Sequence, residues 1–523
     1  MGRRRSARWG GIGGALVGVA WGVVPAVAAA AWSAPQDIAP ADSLTDGHRA
    51  LAVDARGSAL ALLDYGELRY AEQSADGAWS VPRSLGPAFG AGLVTTPAES
   101  LVVWTDGRGD VARVLTASRS REGAWSPVTD IGPASSRYAR VGSLSADADG
   151  NVVVGLVDSV DPPYPSVVLA RAGGGPWIPL DLGPVAPWAR VVAHDGGAMT
   201  AAWRDDAPDD SPGRGRLRLA ERAPGGAFAE VPSPTGAQPV ALRALAGTPG
   251  GDALLVASPP DDTYTAWLRP AGGSFGPPRT IDGRVWGAGV AAMGADGTAA
   301  IAWAEPGRGG RLRGIRVLLR LPGEGFGTPI AISSPAPAGE VTGPLVAVGP
   351  DGGVVVAWSE LRRSGLRRVA GTVWAAVRPP GGAFRRAAVL NDRSLPAHLH
   401  HVASGPGGAS VVTWAASTGR GYVLQAARSE PRPLLARMTG WSREGDARVR
   451  LRLAEEARVT VRLLLPTGRL VARRTRSLPA GGSTVEIAGD GALARGRYRL
   501  QVAARGAGRT AGASAHLRVG GLP

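Results

Sequence analysis

Asp351-Gly352-Gly353-Val354-Val355-Val356-Ala357-Trp358 is the stretch from which the fold is read. Asp-Gly and Gly-Gly accept positive φ, so a tight hairpin turn is expected at its start. The apolar run that follows has the length of one buried strand. The same landmark, a turn containing glycine and then a short apolar run ending in tryptophan, recurs with Trp104, Trp203, Trp303 and Trp414. Three further copies carry Leu63, Leu156 and Ala257 where the tryptophan stands.

A second landmark lies between these copies. Gly77-Ala78-Trp79-Ser80-Val81-Pro82 and Gly123-Ala124-Trp125-Ser126-Pro127 are its clearest forms. Weaker forms centre on Trp177, Phe228, Phe275, Phe326 and Phe384, and the first is Trp32-Ser33-Ala34-Pro35. The intervals between these anchors are 47, 46, 52, 51, 47, 51 and 58 residues, and four of the chain's five phenylalanines serve as anchors. Each repeat then reads as strand, glycine turn, strand ending in Trp, loop, strand, turn and anchor strand. Four short strands in about fifty residues is the size of one blade of a β-propeller.

Both landmarks occur eight times, but out of step. The anchor at Trp32 has no turn-and-Trp unit before it, and the unit at Trp414 has no anchor after it. Circular closure accounts for the offset: the strand 32–38 completes the blade begun by residues 393–430. The expected fold is therefore all-β, an eight-bladed propeller over residues 31–430. The alternative is a seven-bladed propeller in which the Ala257 repeat is a lateral insertion. Over residues 32–430 the repeats resemble those of secreted bacterial propellers of the sialidase and Asp-box kind. Gly294-Ala295-Asp296-Gly297 comes nearest to an Asp-box but lacks its serine and its spacing. The tryptophan motif of quinoprotein dehydrogenase propellers is not matched. The resemblance implies the fold, and function does not follow from it.

After Pro433 the repeat gives way to longer alternating strands. In Arg448-Val449-Arg450-Leu451-Arg452-Leu453 arginine takes one face and aliphatics the other, with period two. Val459, Val461 and Leu463 continue an apolar face, and Arg497-Tyr498-Arg499-Leu500-Gln501-Val502 alternates likewise. About seven strands without cysteine resemble the Ig-like or fibronectin-type β-sandwiches that end many exported proteins, here over residues 431–523. Leu465-Pro466-Thr467-Gly468 superficially matches a sortase signal, but no apolar tail follows it, so a hairpin turn is expected.

Charge separates the two regions. Residues 431–523 hold 18 arginines against 6 acids, a net of +12, while residues 31–430 are close to neutral at −1. Lysine is absent from the whole chain. A nucleic-acid role for the propeller has no electrostatic footprint. The basic sandwich is expected to meet an anionic cell-surface polymer or an envelope glycan. A solvated sheet face is the competing expectation.

At the N-terminus, Arg3, Arg4, Arg5 and Arg8 precede an uncharged stretch from Trp9 to Ala31 that ends in small-x-small sites at Ala26-Val27-Ala28 and Ala28-Ala29-Ala30. Residues 1–30 read as a signal peptide, with a retained anchor as the alternative. The protein is thus expected to be exported, extracellular or held at the cell envelope. Without cysteine there is no disulfide, thiolate nucleophile or Cys-ligated metal.

Candidate chemistry is sparse. An acid falls two residues after the Trp position in five repeats, at Asp106, Asp158, Asp205, Glu305 and Glu360. The loops that follow hold Asp161, Asp206, Asp209, Asp210, Asp261 and Asp262 in the third to fifth repeats. In the sixth and seventh repeats they hold Arg308, Arg311 and Arg313, then Arg362, Arg363, Arg367 and Arg368. An acidic and a basic sector on one loop face would suit a charged ligand, or calcium on the acidic side. His398 and His400 share a strand face and are a candidate metal pair. The repeated tryptophans are expected to pack between sheets, with the anchors inside strands. No catalytic motif is present, so a monomeric, non-catalytic binding or scaffold protein without a cofactor is expected. A propeller-type glycoside hydrolase or polysaccharide lyase is the alternative.

Overall fold

The computed structural model describes residues 32–519 except 42–46, 65, 75–76, 109, 134–138, 158–166, 183–188, 207–214, 260–262, 282–289, 307–311, 334–339, 365–366, 419–420, 430–434, 442–446, 454–456, 480, 489–492, 495 and 507–508. The expected signal peptide lies outside the described residues. The chain is all-β, and its described helical turns are the 3-10 turns Asp195–Gly197 and Pro406–Gly408. Among the described residues no helix is long and apolar enough to cross a membrane. Residues Ala30–Arg432 form one compact body, and Pro433–Pro523 belong to another.

In the first body, consecutive strands pair antiparallel in fours. The first unit takes Gly47–Val53, Ala59–Asp64, Glu67–Gln73 and Arg83–Pro87. The second takes Gly90–Thr95, Glu99–Asp106, Arg113–Ser120 and Thr129–Pro133. The third takes Arg140–Ala146, Val152–Val157, Val167–Arg171 and Trp177–Leu180, and the fourth Arg190–His194, Ala198–Asp206, Gly215–Arg222 and Phe228–Val231. The fifth takes Pro239–Gly247, Ala253–Ser258, Tyr264–Arg269 and Arg279–Ile281, and the sixth Val290–Met293, Ala299–Pro306, Leu312–Arg320 and Ile330–Ala331. In the seventh, Glu340–Val341 and Leu345–Val348 share the first place, before Val354–Ser364, Arg367–Arg378 and Ala388–Val389. The eighth pairs Ala397–Ser404, Ser410–Ser417 and Tyr422–Ser429, and its fourth strand is Gln36–Ala41 from the other end of the chain.

The second strand of each unit is covered on both faces, which is why it reads as an unbroken apolar run rather than an alternation. Val102, Val103, Val152, Val153, Val154, Val355, Val356, Val411 and Val412 are all fully buried. Among the described residues eight apolar clusters result, each shared by two neighbouring units. Trp104 packs on Leu60, Leu62 and Tyr70 of the preceding unit. Trp203 meets Val153 and Val168, Trp303 meets Leu254 and Tyr264, and Trp414 meets Val355 and Val373 in the same way. The expected packing role of these tryptophans is thus what their burial displays. The eighth cluster joins Ile38 and Ala39 to Val53 and Leu63 of the first unit and to Val411 and Leu424 of the eighth.

Two glycines mark how closely the units approach. Gly352 turns with φ +79, and a Cβ there would lie 2.3 Å from Asp296 Oδ2 of the sixth unit. At Gly405 of the eighth unit a Cβ would lie 2.3 Å from Val53 Cγ1 of the first.

A row of arginines also ties the units together. The last or penultimate residue of each third strand is Arg119, Arg171, Arg222, Arg269, Arg320, Arg378 or Arg428, with Gln73 in the first unit. Arg222, Arg269, Arg320 and Arg378 donate to the carbonyls of Gly197, Gly251, Gly297 and Gly352, in the first hairpin of their own units. Arg119, Arg171, Arg269 and Arg320 pair with Glu72, Glu99, Glu221 and Asp252 of the preceding unit. At the seam, Arg428 donates to Gln73 Oε1 of the first unit at 3.3 Å.

Trp177 and Phe228 lie in strands as expected, and the other anchors depart from expectation. Trp79, Trp125 and Phe326 make a single bridge each instead of lying inside a strand, and Phe275 and Phe384 lie outside strands. Pro82, Pro127, Pro277 and Pro329 follow within four residues; proline has no N–H for the ladder, so the outer strand resumes only beyond it. For the same reason the strand expected over 32–38 is a bridge at Trp32 and then, after Pro35, the strand Gln36–Ala41.

The second body has two antiparallel sheets. Leu435–Trp441, Ala447–Leu453 and Gly481–Ala488 form one, and Leu470–Leu478, Ala457–Leu464, Gly496–Gly506 and Arg509–Val519, in that spatial order, form the other. Val449, Leu451, Val459, Val461, Leu463, Val485, Leu500 and Val502 from both sheets share one core. Pro466-Thr467-Gly468 forms the expected turn, closed by the Leu465 N–H donating to Arg469 O at 2.9 Å.

Two outcomes follow. Deleting residues 32–41 removes Ile38 and Ala39 from the last cluster and bares the edge of Tyr422–Ser429. It is expected to lower the Tm by about 5–10 °C and to promote aggregation, measured by calorimetry and light scattering. Arg320→Met leaves the Asp252 carboxylate without its partner at 2.9 Å and is expected to cost about 3 kcal/mol in denaturant titrations.

Candidate functional site

The recurrent concavity of the first body lies between units, where the bridged anchor and the outer strand of the preceding unit diverge. Between the second and third units, Thr116, Ser126 and Asp130 face Arg171, Pro176 and Trp177 around a cleft of about 490 Å³. At the same position between the sixth and seventh, Thr328 and Ile330 face Arg378, Phe384 and Arg385 around about 600 Å³. Both volumes suit a small-molecule or saccharide unit. In each cleft one half-buried aromatic anchor stands beside the third-strand arginine six residues before it. The Arg171 guanidinium lies 5.7 Å from the Trp177 ring centroid. Burial lowers the pKa of Arg378, with Asp296 opposing the shift, but arginine keeps its charge throughout the working range. Each cleft therefore offers an apolar ring, a fixed cation and short hydroxyl or carboxylate groups.

The acids that follow the tryptophans point to a different role. Asp205 accepts from Arg218 Nη1 at 2.8 Å, and Arg218 also pairs with Glu230. Glu305 lies 2.9 Å from Arg316 Nε, and Glu360 accepts from Trp374 Nε1 at 3.1 Å. Arg218, Arg316 and Trp374 are the third-strand residues opposite Trp203, Trp303 and Trp358, so these acids fold back onto their own sheets. Asp106 accepts from Arg108 Nε and Nη2, at 2.9 and 2.7 Å, and these hydrogen bonds hold its carboxyl below the usual range. The hydrogen bonds from Arg218 do the same to Glu230.

Asp158, Asp161, Asp209, Asp210, Asp261, Asp262, Arg308 and Arg311 lie outside the described residues. So do the side chains of Asp206, Arg313, Arg362, Arg363, Arg367 and Arg368, whose backbones lie in strands. His398 and His400 come together edge to face, their ring centroids 5.7 Å apart, and a register shift sits between Leu399 and His401. Among the described residues no third imidazole or carboxylate joins them in a metal-sized group. The described group of that kind is Asp147, Asp149 and Asp195, at the opposite strand ends from the acids considered for calcium. Its carboxylates accept the backbone N–H groups of Asn151, Gly196 and Ala148, which straps the third unit to the fourth.

A polar chain crosses from the fourth unit to the fifth. His194 Nδ1 is 2.8 Å from Thr248 O, a carbonyl that only accepts, so the proton sits on Nδ1 and Nε2 accepts. Nε2 takes the Thr200 hydroxyl at 2.9 Å, and Thr200 Oγ1 accepts from Arg269 Nη2 at 2.8 Å. Burial, and then the Arg269 charge, lower the His194 pKa against the opposing hydrogen bond that Nδ1 donates to Thr248 O. Burial lowers that of His398 as well.

The clefts and the arginine row were not anticipated from sequence. The arginine sits six residues before the anchor in units two to seven, so an offset search within the repeats would have found it. The clefts depend on where the outer strand resumes after proline, which repeat spacing does not encode.

These features define the first body as an all-β repeat array with clefts between its units. No protein-family model matches the chain, and no curated protein matches it. Among solved structures it is similar to the BP39L lectin from Burkholderia pseudomallei, with 15% identity over 68% of this chain and 99% of that one, at a TM-score of 0.43. It is also similar to the β-propeller domain of the Trilobed protease from Pyrococcus furiosus, with 11% identity over 69% and 100% and a TM-score of 0.41. A third is the α-L-arabinanase from Penicillium chrysogenum complexed with arabinobiose, with 13% identity over 55% and 92% and a TM-score of 0.31.

The depressed histidines set a pH dependence. A histidine whose folded pKa lies below its unfolded value takes up its proton more readily when unfolded. Stability is therefore complete above the unfolded value of about 6.5 and falls as the pH drops below it. Thermal melts from pH 8 to pH 5 are expected to show this loss, with a slope of up to about 1.4 kcal/mol per pH unit for each histidine. His194→Gln and His398→Asn should each flatten it.

Proposed function

We propose that the protein is an exported, non-catalytic carbohydrate-binding protein: an eight-bladed β-propeller closed by its N-terminal strand, followed by a fibronectin- or Ig-like sandwich. The recurrence of one cleft at equivalent positions between two pairs of units carries this reading. An aromatic ring suits the apolar face of a sugar, and an arginine with neighbouring hydroxyl and carboxylate groups suits its hydroxyls. The blade assignment is supported by the eight shared clusters and by the Gln36–Ala41 strand beside Tyr422–Ser429. The sandwich assignment is supported by the shared core, and by Tyr498 at the start of its strand, whose hydroxyl donates to Ala494 O at 2.8 Å. That bond has the form of a tyrosine corner. The order of the second sheet departs from the constant-type immunoglobulin pattern, because the fourth strand joins the third and not the first two.

The hydrolase or lyase alternative needs a carboxyl held protonated near neutral pH. Asp106 and Glu230 are shifted the opposite way, and Asp205, Glu305 and Glu360 are each engaged within their own sheets. Glycan-array screening of the purified protein, followed by titration calorimetry with the best saccharide, tests the reading. Trp177→Ala and Phe384→Ala are each expected to weaken binding about tenfold at their own cleft, and together to abolish it. Binding untouched by the double variant, or turnover of the saccharide, would overturn it.

A further inference from the structure

The four strands of the larger sheet in the second body, Leu470–Leu478, Ala457–Leu464, Gly496–Gly506 and Arg509–Val519, contain ten arginines and no aspartate or glutamate. One face of this sheet is the domain core. On the other, alternation sets Arg458, Arg462, Arg499 and Arg505 outward, all exposed, with Arg473 beside them on the edge strand. Register brings like charges together: Arg458 stands directly opposite Arg505, and Arg462 directly opposite Arg473. Such pairs repel, so the bare face is electrostatically unfavourable. Among the described residues no carboxylate pairs with any of these five arginines. On the smaller sheet, by contrast, Arg448 stands opposite Glu486.

The five arginines line an open groove of about 690 Å³, floored by Thr460 and Gln501. The Arg458–Arg505 row and the Arg462–Arg473 row are four residues apart along the strand, and Arg499 lies two positions further on. At about 3.4 Å per residue the cations span roughly 20 Å. That is too long for one phosphate and long enough for several successive anionic groups. A planar guanidinium fork meets a phosphate with two hydrogen bonds, and five forks along one groove set a linear spacing. No aromatic side chain lines the groove, so it has no platform on which nucleic-acid bases would stack. The exposed apolar residues Leu470 and Val471 are not among its lining, so the groove has no apolar wedge for a bilayer.

We propose that this groove binds a linear, base-free, phosphate-bearing polymer, whose negative charges relieve the repulsion between the paired arginines. The site is separate from the saccharide clefts, and its fate is independent of theirs.

The test uses the full chain and linear inorganic polyphosphate as the probe. Arg458→Gln, Arg462→Gln, Arg473→Gln and Arg505→Gln are combined in one variant. A control carries Arg448→Gln, Arg450→Gln, Arg474→Gln and Arg476→Gln, the same change in net charge placed off the groove. The groove variant is expected to bind polyphosphate at least thirtyfold more weakly and with a shallower dependence on salt, and the control within about threefold of the parent. Its Tm should not fall, because two repelling pairs are gone. If the combined variant does not fold, Arg462→Gln and Arg505→Gln singly, each expected to cost about threefold, replace it. Equal losses in groove and control variants, or no loss in either, would refute the site. Tighter binding of single-stranded DNA or of phosphatidylglycerol vesicles, at equal phosphate, would refute the assignment of its occupant.

Discussion

One arginine near the end of the third strand, present in every unit but the first, ties the first body together. In the fifth and sixth units it bridges three things at once: its own strand, the turn carbonyl of its own first hairpin and the carboxylate of the preceding unit. Its donors lie in one plane, so satisfying the carbonyl fixes the direction of those left for the acid. The turn glycine must therefore keep its positive φ, because a different turn would aim its carbonyl elsewhere. The apolar clusters supply most of the attraction between sheets, but they are non-directional and would tolerate sliding. In the sixth unit Arg320 adds direction to that packing, reaching its own turn and the preceding unit beside the cluster in which Trp303 meets its neighbours.

That constraint also accounts for what was legible in the sequence. The strand–turn–strand core of each unit could be read because its second strand is buried on both faces and so is written in valine, alanine and tryptophan. The pairing of Gln36–Ala41 with Tyr422–Ser429 could be read from the offset between landmarks, since the last unit lacks a fourth strand of its own. The anchors were only half legible. Their spacing is fixed by the repeat, but whether they join a strand is not: Trp79, Trp125 and Phe326 stop at one bridge before a proline, while Trp177 lies in a strand that runs through Pro179. The alternation of arginine and aliphatics transferred directly in Ala457–Leu464, because a central strand with one wet face is buried at every second residue.

The acids show where residue type misleads. Their recurrence after the tryptophans suggested a binding face, since a repeated charge near a loop has few structural reasons visible from sequence alone. For Asp205, Glu305 and Glu360 the reason is cross-strand. The residue facing the tryptophan on the third strand is Arg218, Arg316 or Trp374, each a donor, and the acid two positions later reaches back to it. In the eighth unit the same place holds Gln425, which accepts from Trp414 Nε1 at 3.1 Å and donates to Asp37 of the closing strand at 2.8 Å. A pairing rule that spans a loop of variable length cannot be seen by looking along the chain.

The two bodies manage their arginines in opposite ways. In the first, the arginine near the end of the third strand is largely sunk between sheets, and Arg119, Arg171, Arg269 and Arg320 each meet an acid of the preceding unit there. In the second, strands without a single acid carry arginines that face one another on an open surface. A solvated face needs charge for solubility but gains nothing from placing like charges directly opposite, where repulsion is greatest. Threonine opposite threonine, as Thr460 and Thr475 stand with their hydroxyls 3.0 Å apart, shows that the same strands accommodate neutral pairs without strain. The arrangement is therefore better explained by what it attracts than by what it does for the isolated domain. The cost of the paired cations is recovered only when anions lie between them.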